Sequence, residues 1–181
     1  MGMVHLETES LAGTQASVIF NPISADYDDL LLIVNAKSSR TNSPRDNLMM
    51  TFNGVGGTSY GNQWLEGTGS AAYSSAQANT SSIQVTWALS ADFGSTTAGI
   101  YGSTKIYITS YRNSLNKSII SDQTAIRNST DSHSAIQGSL ASITAPITSI
   151  SLSPENGSFL VYSSFSLYGI KKGSDGVTTV S

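Results

Sequence analysis

The chain has 181 residues, enough for one domain with a core that needs neither disulfides nor metal. Charged residues make up only 12% of it, 9 Lys and Arg against 12 Asp and Glu, which excludes the clustered basic surface of a nucleic-acid binder. The absence of Cys excludes disulfide scaffolds, thiolate metal sites and thiol nucleophiles, and 33 Ser and 18 Thr stand where charges usually do.

Apolar residues recur with period two in short β-branched and aromatic runs, so the predicted fold is all-β with little or no helix. In chain order, strands are expected at Val4 to Leu11, Gln15 to Phe20, Asp28 to Lys37 and Asn47 to Asn53. The run Leu30 to Val34 is apolar on both parities and reads as a central strand covered on both faces. From Gly54 to Ser82 the chain reads as a long Gly/Ser/Asn-rich loop in which Gly61 to Leu65 could hide a strand. Ile83, Val85, Trp87 and Leu89 alternate with polar or small residues, and further strands follow at Lys105 to Tyr111, Ser118 to Asp122, Ser134 to Ile143 and Ile147 to Leu152. Phe159, Val161, Phe165 and Leu167 share one parity, and Asn156-Gly157 before them is a hairpin signal that should join two antiparallel neighbours.

About ten short strands suggest an antiparallel β-sandwich of jelly-roll type over residues 1–172, with 173–181 as a polar tail. Its expected core is Leu32, Val34, Phe52, Val85, Trp87, Ile106, Ile108, Ile150, Leu152, Phe165 and Leu167. As a core residue Trp87 should cost about 3 to 5 kcal/mol when replaced by alanine.

Chemistry-bearing patterns are scarce. His5 and His133 lie in no metal-ligand spacing, no nucleophile elbow occurs, and no pair of carboxylates stands out, so no catalysis and no cofactor is expected. Asp26, Asp28 and Asp29 are dense enough to consider for calcium but lack the Gly and Glu of a binding loop, and turn-making before the Leu30 strand is the simpler use. Arg40 and Arg45, beside Asp46, can pin the loop SSRTNSPRDN or cross a subunit interface. Tyr60, Trp64 and Tyr73 have the composition of a recognition surface, or Trp64 and Tyr60 tuck under their loop into the sandwich. No apolar run approaches the roughly 20 residues that cross a bilayer, and MGMVHLETES is acidic where a secretion signal is basic, so no membrane partner is expected and synthesis in a cytoplasm is.

Two stretches resemble a family of small β-sandwich proteins encoded among virion genes of tailed bacteriophages. In residues 18–54 an F-x-x-I turn, a Y-x-D-L strand, a small/Arg-rich loop and a D-N-L-x-x-x-F-N-G strand follow one another; the ending carries F-S-L-Y-G-I-K. Tyr60 to Gly67 matches more loosely. The resemblance implies a virion structural protein: a capsid decoration (cement) protein, often a homotrimer, bound to the major capsid protein at the head surface. The alternative it implies is a fibre tip that binds a host surface glycan through Tyr60, Trp64 and Tyr73. With few charges to offer, contact should come from area, hydrogen bonds and a few anchors, Trp64 and Arg40 first, in the Gly54 to Ser82 and Ser38 to Asn47 loops.

Overall fold

The computed structural model describes residues 2–93, 99–126 and 132–172, and the expected polar tail lies outside them. The described residues form twelve strands and no helix: β1 (Gly2–Ser10), β2 (Val18–Phe20), β3 (Asp29–Ser38), β4 (Arg45–Phe52), β5 (Tyr60–Gly67), β6 (Ala72–Thr80), β7 (Ile83–Ala91), β8 (Gly102–Ile108), β9 (Lys117–Ile126), β10 (Ser132–Ala141), β11 (Ile150–Pro154) and β12 (Ser164–Lys171). The all-β expectation is met.

The strands make a sandwich-like pair of layers. The broad layer runs β1-β12-β3-β8-β9-β10-β5-β6 and the narrow one β2-β11-β4-β7. All the pairings are antiparallel except where β3 and β7 meet in parallel, Lys37 opposite Ser90 and Ser38 opposite Ala91, and this contact makes the sheet mixed rather than wholly antiparallel. Alternation places one face of each central strand in the core. Leu30, Leu32 and Val34 of β3 meet Leu48, Met50 and Phe52 of β4, with Ile106, Ile108, Ile150, Leu152, Phe165 and Leu167 completing the same cluster. Phe159 and Phe165 cross edge to face at 4.7 Å between ring centroids, in the geometry that aromatic quadrupoles favour.

Four expectations are corrected. Leu30 to Val34 is a central strand, but Leu31 and Ile33 on its outer side are only half-buried, because among the described residues no layer lies over that face. The Gly54 to Ser82 loop is largely two strands: β5 covers the hidden one, and β6 escaped notice because AYSSAQANT has no apolar alternation to detect. Asn156-Gly157 does not close a hairpin, since β11 pairs with β2 and β4 whereas β12 pairs with β1 and β3. The turn instead carries the chain from one layer to the other, with Gly157 at φ 75°.

Trp87 is the fourth. It stands at φ 49°, a left-handed conformation unusual for a bulky residue, and it is only half-buried. Here β7 carries extra residues: Asp46 faces Leu89 and Leu48 faces Val85, so Thr86, Trp87 and Ala88 all oppose Asn47. The Asn47 side chain fills the gap by accepting the Trp87 N–H at 2.8 Å. This bulge breaks the alternation, so that Ala88 and Leu89 are both buried and the indole leaves the core.

Candidate interaction surface

Most of the predicted contact residues serve the scaffold. Arg40 is turned inward, its Nε donating to Asn42 at 2.8 Å and its Nη1 reaching the Arg45 carbonyl and the Asp46 carboxylate, each at 3.3 Å. This is the loop-pinning use. Asp46 is fully buried and also accepts the backbone and side-chain N–H groups of Asn156 at 3.1 and 3.0 Å. Arg45 lies over the Trp87 ring at 5.5 Å, a cation-π contact, and His133 meets the same ring edge to face. Tyr60 is buried, its hydroxyl donating to the Val55 carbonyl and accepting the Phe52 N–H, both at 3.0 Å. Tyr60 thus takes the core reading and stands apart from the other two aromatics. Trp64 is half-buried and Tyr73 is exposed; Ser75 sits opposite Trp64 and Glu66 opposite Tyr73, which makes the two aromatics diagonal neighbours on one face of the β5–β6 hairpin.

Each carboxylate of the acidic cluster is taken up by hydrogen bonds or ion pairs of the scaffold. Asp26 accepts from Ser24, while Asp28 accepts Arg112 and the Lys172 N–H, each at 2.8 Å. Asp29 is buried and ion-paired with Lys172 at 2.6 Å, and it accepts the Ser110 N–H at 2.7 Å and the Tyr107 hydroxyl at 2.5 Å. Burial pushes the Asp29 carboxyl up, but Lys172, Ser110 and Tyr107 outweigh it and hold the group below its ordinary value. The Tyr107 hydroxyl is pushed up to about 12 by burial and by that carboxylate. Among the described residues no three His, Asp or Glu gather where they could hold a metal.

The motifs of residues 18–54 and of the F-S-L-Y-G-I-K ending also serve the scaffold. The Tyr27 ring lies so close over Gly169 that a Cβ there would stand 2.3 Å from it, and Lys171 covers the same ring at 5.6 Å. Asn53, at φ 53°, accepts the N–H groups of Thr148 and Ser149 and donates to the Pro146 carbonyl. The two stretches therefore interlock as β2, β3 and β4 against β11 and β12.

At the opposite end the layers meet through polar groups. β7 has β4 on one side, and its other side turns backbone groups of Gln84 and Thr86 toward the broad layer. Gln137 answers with its amide: Nε2 donates to the Gln84 carbonyl at 2.8 Å and Oε1 accepts the Thr86 N–H at 3.1 Å. Gln123 Nε2 donates to the Thr86 carbonyl at 3.2 Å, and Ser139 and Asn62 complete the seam around Gln137. Two glutamines thus stand in for a missing strand and satisfy an edge that burial would otherwise leave costly.

This seam inverts β10. His133, Ala135, Gln137, Ser139 and Ala141 point inward, while Ile136 and Leu140 face out at 63% and 47% exposure. Leu65 of β5 is directly opposite Ile136, and Ile120 of β9 is opposite Gly138, between the two outward β10 residues. The four apolar side chains therefore form one cluster, each about half-exposed or more, around a glycine that leaves a depression in the face. Lys105 and Asp122 beside it pair at 3.5 Å and are both more than half exposed, so they add little net charge or binding energy. Sequence reasoning passed over this cluster; the alternation of Ser132 to Ala141 instead puts Ile136 and Leu140 on the parity expected to face a core.

No family model matches this chain, and no curated protein matches it either.

Proposed function

We propose that this protein is a non-catalytic structural component of a bacteriophage virion, a jelly-roll-type capsid decoration protein that binds the assembled head as a homotrimer and takes no cofactor. The carrying observation is the outer face of the broad layer, where Leu65, Ile120, Ile136 and Leu140 cluster in the open and the only charges beside them, Lys105 and Asp122, offset each other among the described residues. Monomeric soluble proteins seldom leave a contiguous apolar patch unused. The resemblance of residues 18–54 and 149–172 supports the virion setting, and the major capsid protein is the occupant it suggests for this face.

The test adds the protein to undecorated capsids at low and high ionic strength. Binding should change little with salt, because the face offers area rather than ions, and Ile136→Asp should abolish it while leaving the fold intact. Absence of wild-type binding overturns the assignment; binding lost at moderate salt overturns its mechanism. A second reading, a fibre tip holding a host glycan, is favoured by Trp64 and Tyr73 sharing one exposed face of the hairpin. Glycan binding lost in Trp64→Ala but kept in Ile136→Asp would select it.

A further inference from the structure

The sandwich has four strand edges, and three are protected. β1 carries Glu7 and Glu9 and a bulge between His5 and Glu7, devices that discourage pairing by a foreign strand. β2 is three residues long. The free side of β7 is occupied by the Gln123 and Gln137 amides. β6 has a bulge only at its end, where Ala78 and Asn79 oppose Gly61 and Asn79 stands at φ 58°, and the rest of it is unprotected. It ends the broad layer, its register with β5 is regular from Ala72 to Gln77, it contains no charged residue and no proline, and Ala72 to Ala76 are all exposed.

We propose that β6 pairs antiparallel with β6 of a second copy of this chain, about a two-fold axis normal to the sheet, joining two broad layers into one continuous sheet. The chemistry selects a second copy. An antiparallel edge offers the same alternation of N–H and C=O to its own image, so the contact is self-complementary. A neutral strand also meets its copy without like charges, whereas β1 would set Glu7 and Glu9 against theirs. Opposed residues in antiparallel strands share a face, so one residue of β6 must face itself. With Ser75 on the axis, Tyr73 faces Gln77 of the partner subunit and Ser74 faces Ala76 of the partner subunit, which gives the exposed phenol a neighbour. The contact needs no virion; where trimers form through another face, it joins one trimer to the next.

The chain has no Cys, so single cysteines report this geometry without background. Ser74→Cys, Ser75→Cys and Ala76→Cys, each prepared as the full chain and oxidised, should differ sharply, with one position cross-linking to a dimer far faster than the other two. In parallel, the mass of the wild-type protein should rise with concentration toward a multiple of two, and Ser74→Lys/Ala76→Lys should weaken that association by at least about tenfold while its circular dichroism stays unchanged. A wild-type protein that remains monomeric to millimolar concentration overturns the proposal. So does association that the lysine pair does not touch, or equal cross-linking at all three positions. Capsid binding by the lysine variant would leave the decoration reading standing and isolate the failure to this edge.

Discussion

The two ends of the sandwich are held together by different chemistry. Where β3 and β12 face β4 and β11, the layers meet through Leu32, Val34, Met50, Phe52, Phe165 and their neighbours, all essentially without exposure. Where β9 and β10 face β7, they meet through Gln123, Gln137, Ser139 and Thr86. The first end follows from transfer of apolar surface and tolerates any well-packed solution. The second depends on amide groups placed against the specific N–H and C=O of a bare strand edge, so it fixes which strand lies over which. The difference also explains the surface. Because the inward positions of β10 are spent on polar groups, its large apolar residues are the ones left outside.

The contrast can be tested by substitution, beginning with the largest expected effect. Phe159→Ala removes half of the Phe159–Phe165 pair from a fully buried site and should cost about 3 to 5 kcal/mol in urea unfolding. A much smaller loss would mean that the apolar end is loosely packed. Gln137→Met keeps the length of the side chain but leaves the Thr86 N–H and Gln84 carbonyl without their partner, and should cost about 1 to 3 kcal/mol. A neutral result would show that the seam is wet and that the glutamine is not a substitute strand.

Smaller again is Trp87→Ala, expected at about 1 to 2 kcal/mol because the ring is only half-buried, outside the apolar core, with Arg45 over its face and His133 at its edge. Trp87→Gly should be no worse, since glycine accepts φ 49° without strain and reverses the usual order of alanine and glycine in a strand. If glycine is clearly the more damaging, the bulge relaxes when the indole is gone.

The smallest effects concern the ionic lock at the start of β3. The Asp29 carboxyl is held below its ordinary value in the fold, so it contributes stability above the usual carboxylate range and loses it as pH falls through that range. Tyr107 has the opposite sign: its pKa is raised from 10.0 to about 12, so its contribution is complete below pH 10 and is lost as pH climbs toward 12. Asp29→Asn should flatten the acid limb of stability against pH, and Tyr107→Phe the alkaline limb. An unchanged acid limb in Asp29→Asn would assign it to other carboxylates.

The amino-acid sequence by itself determined the class and the apolar end. Period-two runs such as Phe165 to Leu167 are strands for a local reason, the alternation of side chains along a pleat, and that reason survives into the fold; the run Leu30 to Val34, apolar on both parities, is a strand with one face fully buried. Ten of the eleven expected core residues are buried there for the same cause. Tertiary structure alone decided the rest. It set Trp87 outward, because a bulge against Asn47 shifted the parity of β7. It made Asn156-Gly157 a crossing between layers, because Asp46, distant in sequence, holds Asn156 there. It turned Ile136 and Leu140 toward solvent, because the strand edge they would have covered needed hydrogen bonds rather than apolar area. Hydrophobic periodicity records how much apolar surface a strand can bury, whereas the hydrogen-bonding need of the neighbour across the sandwich is written in another part of the chain.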